Sequence, residues 1–322
     1  MSDRVGAAAS GPERSGGKTS PPSAARGSES SAQRDHEPPV HRAWRVTEPL
    51  HAMIYFVPES TERFAALGLD AATGYFASRG AALGPVGPGP VVAMFYNFAP
   101  EVVARALPAA WEKTTPAAVL QARLEAADAA LTRGLGAAVY GPEVAEAARL
   151  ARRAAEAATL VPYGRPLYAA HAELPWPDEP HLILWHAQTV LREFRGDGHV
   201  ATLLTAGLTG LEAMVLHIAS GETDARFLYA TRGWSARQWA DAADRLRARG
   251  LIEGHAPVLT EAGRRLRADL EATTDRLAMP AYGALGEDGM VRLAELTRPL
   301  SRTLVKAGML NTANAFTTAP GS

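Results

Sequence analysis

The 322-residue chain contains no cysteine, which removes disulfides, zinc–thiolate centres and thiol catalysis from consideration. It also lacks net charge. Thirty-three Lys and Arg against 34 Asp and Glu leave −1 at pH 7, so nothing draws the whole chain to phosphate, whereas dedicated DNA-binding domains are usually basic. No apolar run approaches the roughly 20 residues that a membrane span needs. The N-terminus has no apolar h-region of the kind a secretory signal carries. A cytoplasmic protein with no membrane partner is therefore expected. The chemical fingerprints of a nucleophile elbow, a dinucleotide glycine turn and a kinase are missing as well. Gly84–Pro90 is glycine-rich, but its prolines lack donors and no Gly-Lys-Ser/Thr follows, so it reads as a loop and not as a phosphate cradle.

What is present is ordinary for a globular protein, with 47% hydrophobic and 21% charged residues. The positive charge is almost all arginine and alanine is abundant, which reads as a mark of a GC-rich genome. Residues 1–42 are Gly, Ser, Ala, Pro and mixed charge, too poor in large apolar side chains to offset ordering entropy, and a disordered tail is expected. Residues 43–160 read as a helical N-terminal domain, with Phe64, Leu67, Ala71, Tyr75 and Phe76 at helical spacing. Prolines 100, 108, 116 and 142 stand where helices begin or bend. Residues 161–310 read as a second domain. A proline-rich connector leads there to a helix from His181 to Phe194, and Asp197 is expected to cap a central apolar helix from His199 to Ser220. Residues 311–322 are expected to fray.

Within the second domain, Ala230–Arg267 has the clearest local grammar. Ser235 caps a helix, Gly250 stops it, Ile252–Leu259 leaves room for a short ribbon, and Thr260 opens another helix. Helix, helix, short wing and helix is the winged helix-turn-helix order. The fold class is thus all-α, mainly helical, with a winged helix-turn-helix and a short β-hairpin wing. On a helical wheel Trp239, Ala243 and Leu246 face inward, and Arg237, Gln238 and Arg245 are the candidate DNA contacts on the outer face. Asp241 and Asp244 share that face, and the wing holds no Lys or Arg. Phosphate contacts normally supply most of the affinity, so DNA is expected as a weak partner.

A second constellation lies upstream, where Arg192, Glu193, Arg195, Asp197 and His199 crowd together. A helix N-terminus capped by Asp197 and flanked by two arginines suits a carboxylate or phosphate. The same positive end would keep His199 neutral, as an acid, base or ligand. With Arg165 and Trp185 nearby in the connector region, the candidate ligand-binding residues are Arg165, Trp185, Arg192, Arg195, Asp197 and His199, and His199 is the catalytic candidate. An Asp-capped turn with an internal Arg–Glu pair accounts for most of these residues without any ligand. His171, His181, His186 and His199 contain no pair four apart and no accompanying carboxylate motif, so neither a metal nor another cofactor is expected.

These residues carry a resemblance. Trp239 through Gly263, with its leucine-arginine-x-arginine-glycine-leucine-isoleucine turn and leucine-threonine-glutamate-x-glycine, resembles the winged helix of the MarR group of regulators, without the longer wing and its Asp-x-Arg element. From about Trp44 to Leu310 the chain resembles an actinobacterial helix-turn-helix family known as SalK-like. Gly164-Arg165-Pro166-Leu167, Trp185, Leu191-Arg192-Glu193 and Arg195-Gly196-Asp197-Gly198-His199 carry that match. The resemblance implies a winged-helix fold and an association with specialised metabolism, and it supplies no established activity.

Two readings stand together. One is a winged-helix protein that binds a small anionic or aromatic molecule and acts as a regulator. The other is an enzyme or accessory protein using Arg192, Arg195 and His199 on an anionic substrate. The oligomeric state is left open.

Overall fold

Proline sets the segmentation of this chain. It occupies the first turn of eight helices, where its missing N–H costs nothing and its fixed φ is already helical. The computed structural model describes residues 37–311. The expected disordered tail and frayed C-terminus fall outside these residues, except that order begins earlier than expected, with α1 at Pro39–Ala52. The N-terminal half continues with α2 (Pro58–Ala66), α3 (Ala71–Gly80), α4 (Pro88–Phe95), α5 (Pro100–Ala106), α6 (Ala109–Lys113), α7 (Pro116–Leu135) and α8 (Pro142–Ala158). Then follow α9 (Pro166–Ala172), α10 (Pro180–Thr205), α11 (Gly210–Ala219), α12 (Ala225–Thr231) and α13 (Ala236–Ala248). An antiparallel ribbon of β1 (Ile252–Glu253) and β2 (Val258–Leu259) precedes α14 (Glu261–Tyr282) and α15 (Gly286–Lys306). Among the described residues no single helix is long and apolar enough to cross a membrane.

Three apolar clusters hold these helices. The largest joins α1, α7, α8, α10, α14 and α15, and its densest seam runs between α8 and α10. There α8 presents Ala147, Ala151, Ala154, Ala155 and Ala158, all fully buried, and small side chains let two helix backbones approach closely. The boundary expected at residue 160 falls inside this cluster. A second cluster, rich in phenylalanine, belongs to α2–α7. A third is built from the end of α10, α11–α14 and the ribbon, around Trp239, Leu246, Leu251 and Ile252. The inward face read on α13 is thus the buried one, and Ser235 caps it through a reciprocal box with Gln238.

The segment between residues 181 and 220 departs from expectation. No helix begins at Asp197. Helix α10 runs unbroken for 26 residues from Pro180 to Thr205, through Gly196, Asp197 and Gly198. The break comes at Gly207, which has φ +63°, and Thr209 then caps α11 through a box with Glu212. Two glycines cost a helix about 1 kcal/mol each relative to alanine, and here packing outweighs that cost. Gly198 is needed because the Arg165 guanidinium lies against it; a Cβ there would stand 2.7 Å from Arg165 Nη1. The Asp197 carboxylate does cap a helix, but not its own: it accepts the Tyr168 N–H at 2.9 Å in the first turn of α9.

The N-terminal half is tied directly to the segment from α11 to α13. The Ala99 N–H donates to the Arg232 carbonyl at 2.9 Å, and Trp234 Nε1 donates to the Asn97 carbonyl at 3.0 Å. Tyr96 donates its hydroxyl to the Leu208 carbonyl. At Gly210 the Tyr96 backbone approaches so closely that an added Cβ would overlap its carbonyl oxygen at 1.9 Å. Residues 96–99 therefore bridge the start of α11 and the turn between α12 and α13.

Candidate ligand cavity on helix α10

Helix α10 turns Arg192, Arg195, Gly196, His199, Val200 and Leu203 toward a cavity of about 350 Å³. The opposite walls are Trp44 and Glu48 of α1, Arg79 of α3, Met94 and Phe95 of α4, Met214 and His217 of α11, and Arg267, Leu270, Glu271 and Thr274 of α14. The cavity is thus a seam between the N-terminal half and the helix-turn-helix segment. One end is apolar, through Met94, Phe95, Leu203, Met214 and Leu270, and the rest is densely charged.

Every guanidinium in the seam has a carboxylate partner. Arg192 donates Nε to Glu48 Oε1 at 2.8 Å and Nη1 to Glu193 Oε1 at 3.3 Å. Arg79 Nη2 straddles both oxygens of Glu193 at 3.2 Å. Arg195 bonds Asp275 at 2.7 Å and Glu271 at 3.0 Å while lying 4.2 Å from the centre of the Trp44 ring. Arg267 reaches Glu222 at 2.6 Å. Burial alone would raise the Glu193 carboxyl; Arg79 and Arg192 outweigh it and hold it down at about 2. Such pairs keep their geometry because desolvated charges have no water to exchange with.

His199 lines the cavity with Nδ1 against Thr274 Oγ1 at 2.9 Å. Burial lowers its pKa, with Arg195 and Arg267 adding to the effect against an opposing pull from Glu271. The neutral imidazole expected from a helix end is thus caused by desolvation in mid-helix. Its neighbours suit it to hydrogen bonding with a ligand, or to proton transfer if one is presented.

Of the other candidate residues, Arg165 and Trp185 lie outside the cavity and Asp197 lies on its wall. Arg165 is buried, stacks on Phe194 with 3.8 Å to the ring centre, and donates to the Phe194 and Leu277 carbonyls. It welds α9 and α14 to α10 and is not among the residues lining the cavity. Asp197 lines the cavity, and its oxygen serves Tyr168. Burial raises its carboxyl to about 6 against the opposing N–H bonds of Tyr168 and Leu167. The mid-helix position of Asp197 also removes the expected anion cradle, because the amides around Val200 are inside a continuous helix. Trp185 stacks on His51, with centroids 5.9 Å apart, away from the cavity. Residues unforeseen in the sequence reading are Glu48, Arg79, His217, Arg267, Glu271 and Thr274. Arg79 did carry a signal: an arginine on a helix otherwise lined by Tyr75, Phe76 and Gly80 has no water to face.

The four histidines considered as metal ligands do not assemble. His181 bonds Asp128 at 2.7 Å, His186 meets the Trp176 ring edge-on, and His199 is in the seam. Among the described residues, the metal-type donors that do converge are His41, Glu271 and Asp275. The Arg195 guanidinium already sits on both of those carboxylates, supplying the positive charge that a metal would bring.

The outer face of α13, where the sequence suggests DNA contacts, is polar but largely self-satisfied. Gln238 Oε1 is held by the N–H and hydroxyl of Ser235. Arg245 donates to Glu212 at 2.7 Å, and Arg247 to Asp244 and to the Gly254 and His255 carbonyls of the ribbon turn. Arg237 is 90% exposed, 3.9 Å from Asp241. Gln238, Asp241 and Arg245 also line a groove whose other wall is Val92, Tyr96 and Pro100 of the N-terminal half.

Against known proteins, one family model matches, described as a helix-turn-helix family, over residues 40–311. No curated protein and no solved structure matches the chain.

Proposed function

The chain belongs to this helix-turn-helix family, and on that premise we propose that it is a ligand-responsive regulator. In this reading a small aromatic acid occupies the α10 seam, and α11–α13 with the ribbon form a MarR-like winged module of low DNA affinity. The observation that carries the reading is the position of α11. It gives Gly210, Ala213, Met214 and His217 to the cavity wall, and its other face packs on α13. A molecule that fills the seam therefore bears on the helix against which the DNA-facing helix rests, and residues 96–99 transmit any change in the N-terminal half to both ends of α11–α12. Coupling of this kind requires only that the ligand prefer one arrangement of the seam.

The ligand class follows from the lining. Met94, Phe95, Leu203, Met214 and Leu270 offer an apolar slot for a ring. The acid group would take Arg192, whose partner Glu48 is itself partly exposed and can yield it to a better-placed carboxylate. The SalK-like resemblance supports reading such a molecule as a compound of specialised metabolism, and the regulator would act in the cytoplasm.

Calorimetric titration with benzoate and larger aryl carboxylates is the direct test. Binding should weaken at least tenfold in Arg192→Ala and stay unchanged in Arg237→Ala. Fluorescence anisotropy with the chain's own upstream promoter region at low salt tests the DNA arm. Binding that is relieved by the aryl acid is the expected result, and no binding at micromolar protein sinks the regulator reading.

A further inference from the structure

Among the described residues, Arg123 of α7 has no carboxylate within ion-pair distance. It is 2% exposed, and its Nε and Nη2 find no hydrogen-bond partner among the described residues. Its guanidinium lies 5.0 Å from the centre of the Trp185 ring. Glu193 is the carboxylate that acts on it, but both Glu193 oxygens are taken by Arg79, and Oε1 also receives Arg192. Glu48 holds the other side of Arg192. The buried Arg79 and Arg123 and the half-buried Arg192 therefore set three guanidiniums against two carboxylates, buried Glu193 and half-buried Glu48. The surrounding groups do not redress the balance. Burial depresses His51, His171 and His186, so they remain neutral, and it raises Tyr55, which keeps its proton. Further polar atoms lie idle beside Arg123: Trp185 Nε1, both ring nitrogens of His171, and His186 Nε2. Arg123 is the charge that acts most strongly on each of those two imidazoles.

An arginine cannot shed its proton to escape such a site, and at 2% exposure it cannot reach water along its stem. A buried unpaired cation is strongly unfavourable, and so is each buried donor left without an acceptor. We propose that Arg123 is the centre of an internal anion site that takes a small monoanion, of halide to acetate size, with Trp185 Nε1–H and a ring N–H of His171 as flanking donors. The charge follows from the lack of a carboxylate partner for Arg123. The size follows from its 2% exposure, which leaves no open groove for a larger group. The site lies behind Arg79 and Glu193 of the seam wall and does not depend on the seam ligand.

The test is thermal melting of the full chain at fixed ionic strength, with gluconate replaced stepwise by chloride, bromide, formate or acetate. A saturable rise of a few degrees with at least one small anion is expected in the wild type, and none in Arg123→Met, which keeps the stem and removes the charge. In gluconate alone Arg123→Met should melt no lower than the wild type, because it buries no orphan cation. Identical melting in all salts, or an equal rise in both proteins, overturns the proposal. Should Arg123→Met fail to fold, wild-type crystals grown in bromide decide it: an anomalous peak bonded to the Arg123 guanidinium is expected, and its absence refutes the site.

Discussion

Arginine is used in two opposite ways in this molecule, on α10 and on α13. Along α10 and the walls it faces, Arg79 and Arg195 are buried and Arg192 is half-buried, each is paired with a carboxylate, and each lies over an aromatic ring. On α13, Arg237 and Arg245 stand in water with one acidic neighbour apiece. The same side chain is therefore structural capital in the first place and nearly neutral in the second, because the strength of a charge depends on how much water it has lost. Patterns of charge along the sequence do not distinguish the two, which is why the α13 arginines look as meaningful as those of α10.

The largest test of that contrast is Glu193→Gln. It leaves Arg79 and Arg192 facing an uncharged amide inside the protein, and breaking a buried pair from one side costs about 3–5 kcal/mol. Urea unfolding should show this loss, and a change below 1 kcal/mol would mean the seam charges are as weakly coupled as those on α13. Acid should attack the same region next. Folded His171 and His186 are pushed down to about 3 and about 4, below the ordinary 6.5, so the unfolded chain binds more protons as pH falls below 6.5. Each histidine then withdraws about 3 kcal/mol of stability between pH 6.5 and 4. Glu193, held at about 2, adds to the loss once pH passes below its ordinary 4.5. Asp197 works in the opposite direction: its raised carboxyl takes up a proton first in the folded state, so it returns part of the loss between pH 6 and 4. Guanidinium midpoints measured across this range check the net slope, and His171→Asn should flatten it.

Two glycines in one helix sharpen the contrast further. Gly198→Ala drives a Cβ against Arg165 and should cost about 1–3 kcal/mol. Gly196→Ala meets nothing nearer than Glu193 Oε2 at 3.7 Å and should gain up to about 1 kcal/mol of helix propensity. Because Gly196 lines the cavity, the same methyl should weaken aryl-acid binding, so opposite signs in melting and in titration are the expected signature. The smallest effect is Arg237→Ala, within about 0.5 kcal/mol by chemical denaturation.

Local chemistry was legible in the residues themselves. The helix caps and stop between residues 235 and 260 read as the structure has them because Ser235, Gly250 and Thr260 act within one or two turns of where they stand. The crowding of Arg192, Arg195 and His199 also pointed to the seam they line. The same local grammar misread Asp197: a carboxylate between two glycines is the pattern of a helix start, yet its partner is the Tyr168 amide, 29 residues away along the chain. Arg165 was read as a ligand contact because nothing near it in sequence announces that it will be consumed by two carbonyls of α10 and α14.

By itself, then, the sequence determined the class of the protein: helical, free of thiol and metal–thiolate chemistry, with capped helices around a short ribbon near its C-terminal third. Proline starts, glycine stops and cap residues operate over a few residues, where chain connectivity does the assembling. Only the tertiary structure decided which charges matter. Pairing Glu193 with Arg79, 114 residues apart, or leaving Arg123 without a carboxylate, depends on which helices meet and how much water is expelled between them, and neither quantity is written in the spacing of residues along one helix.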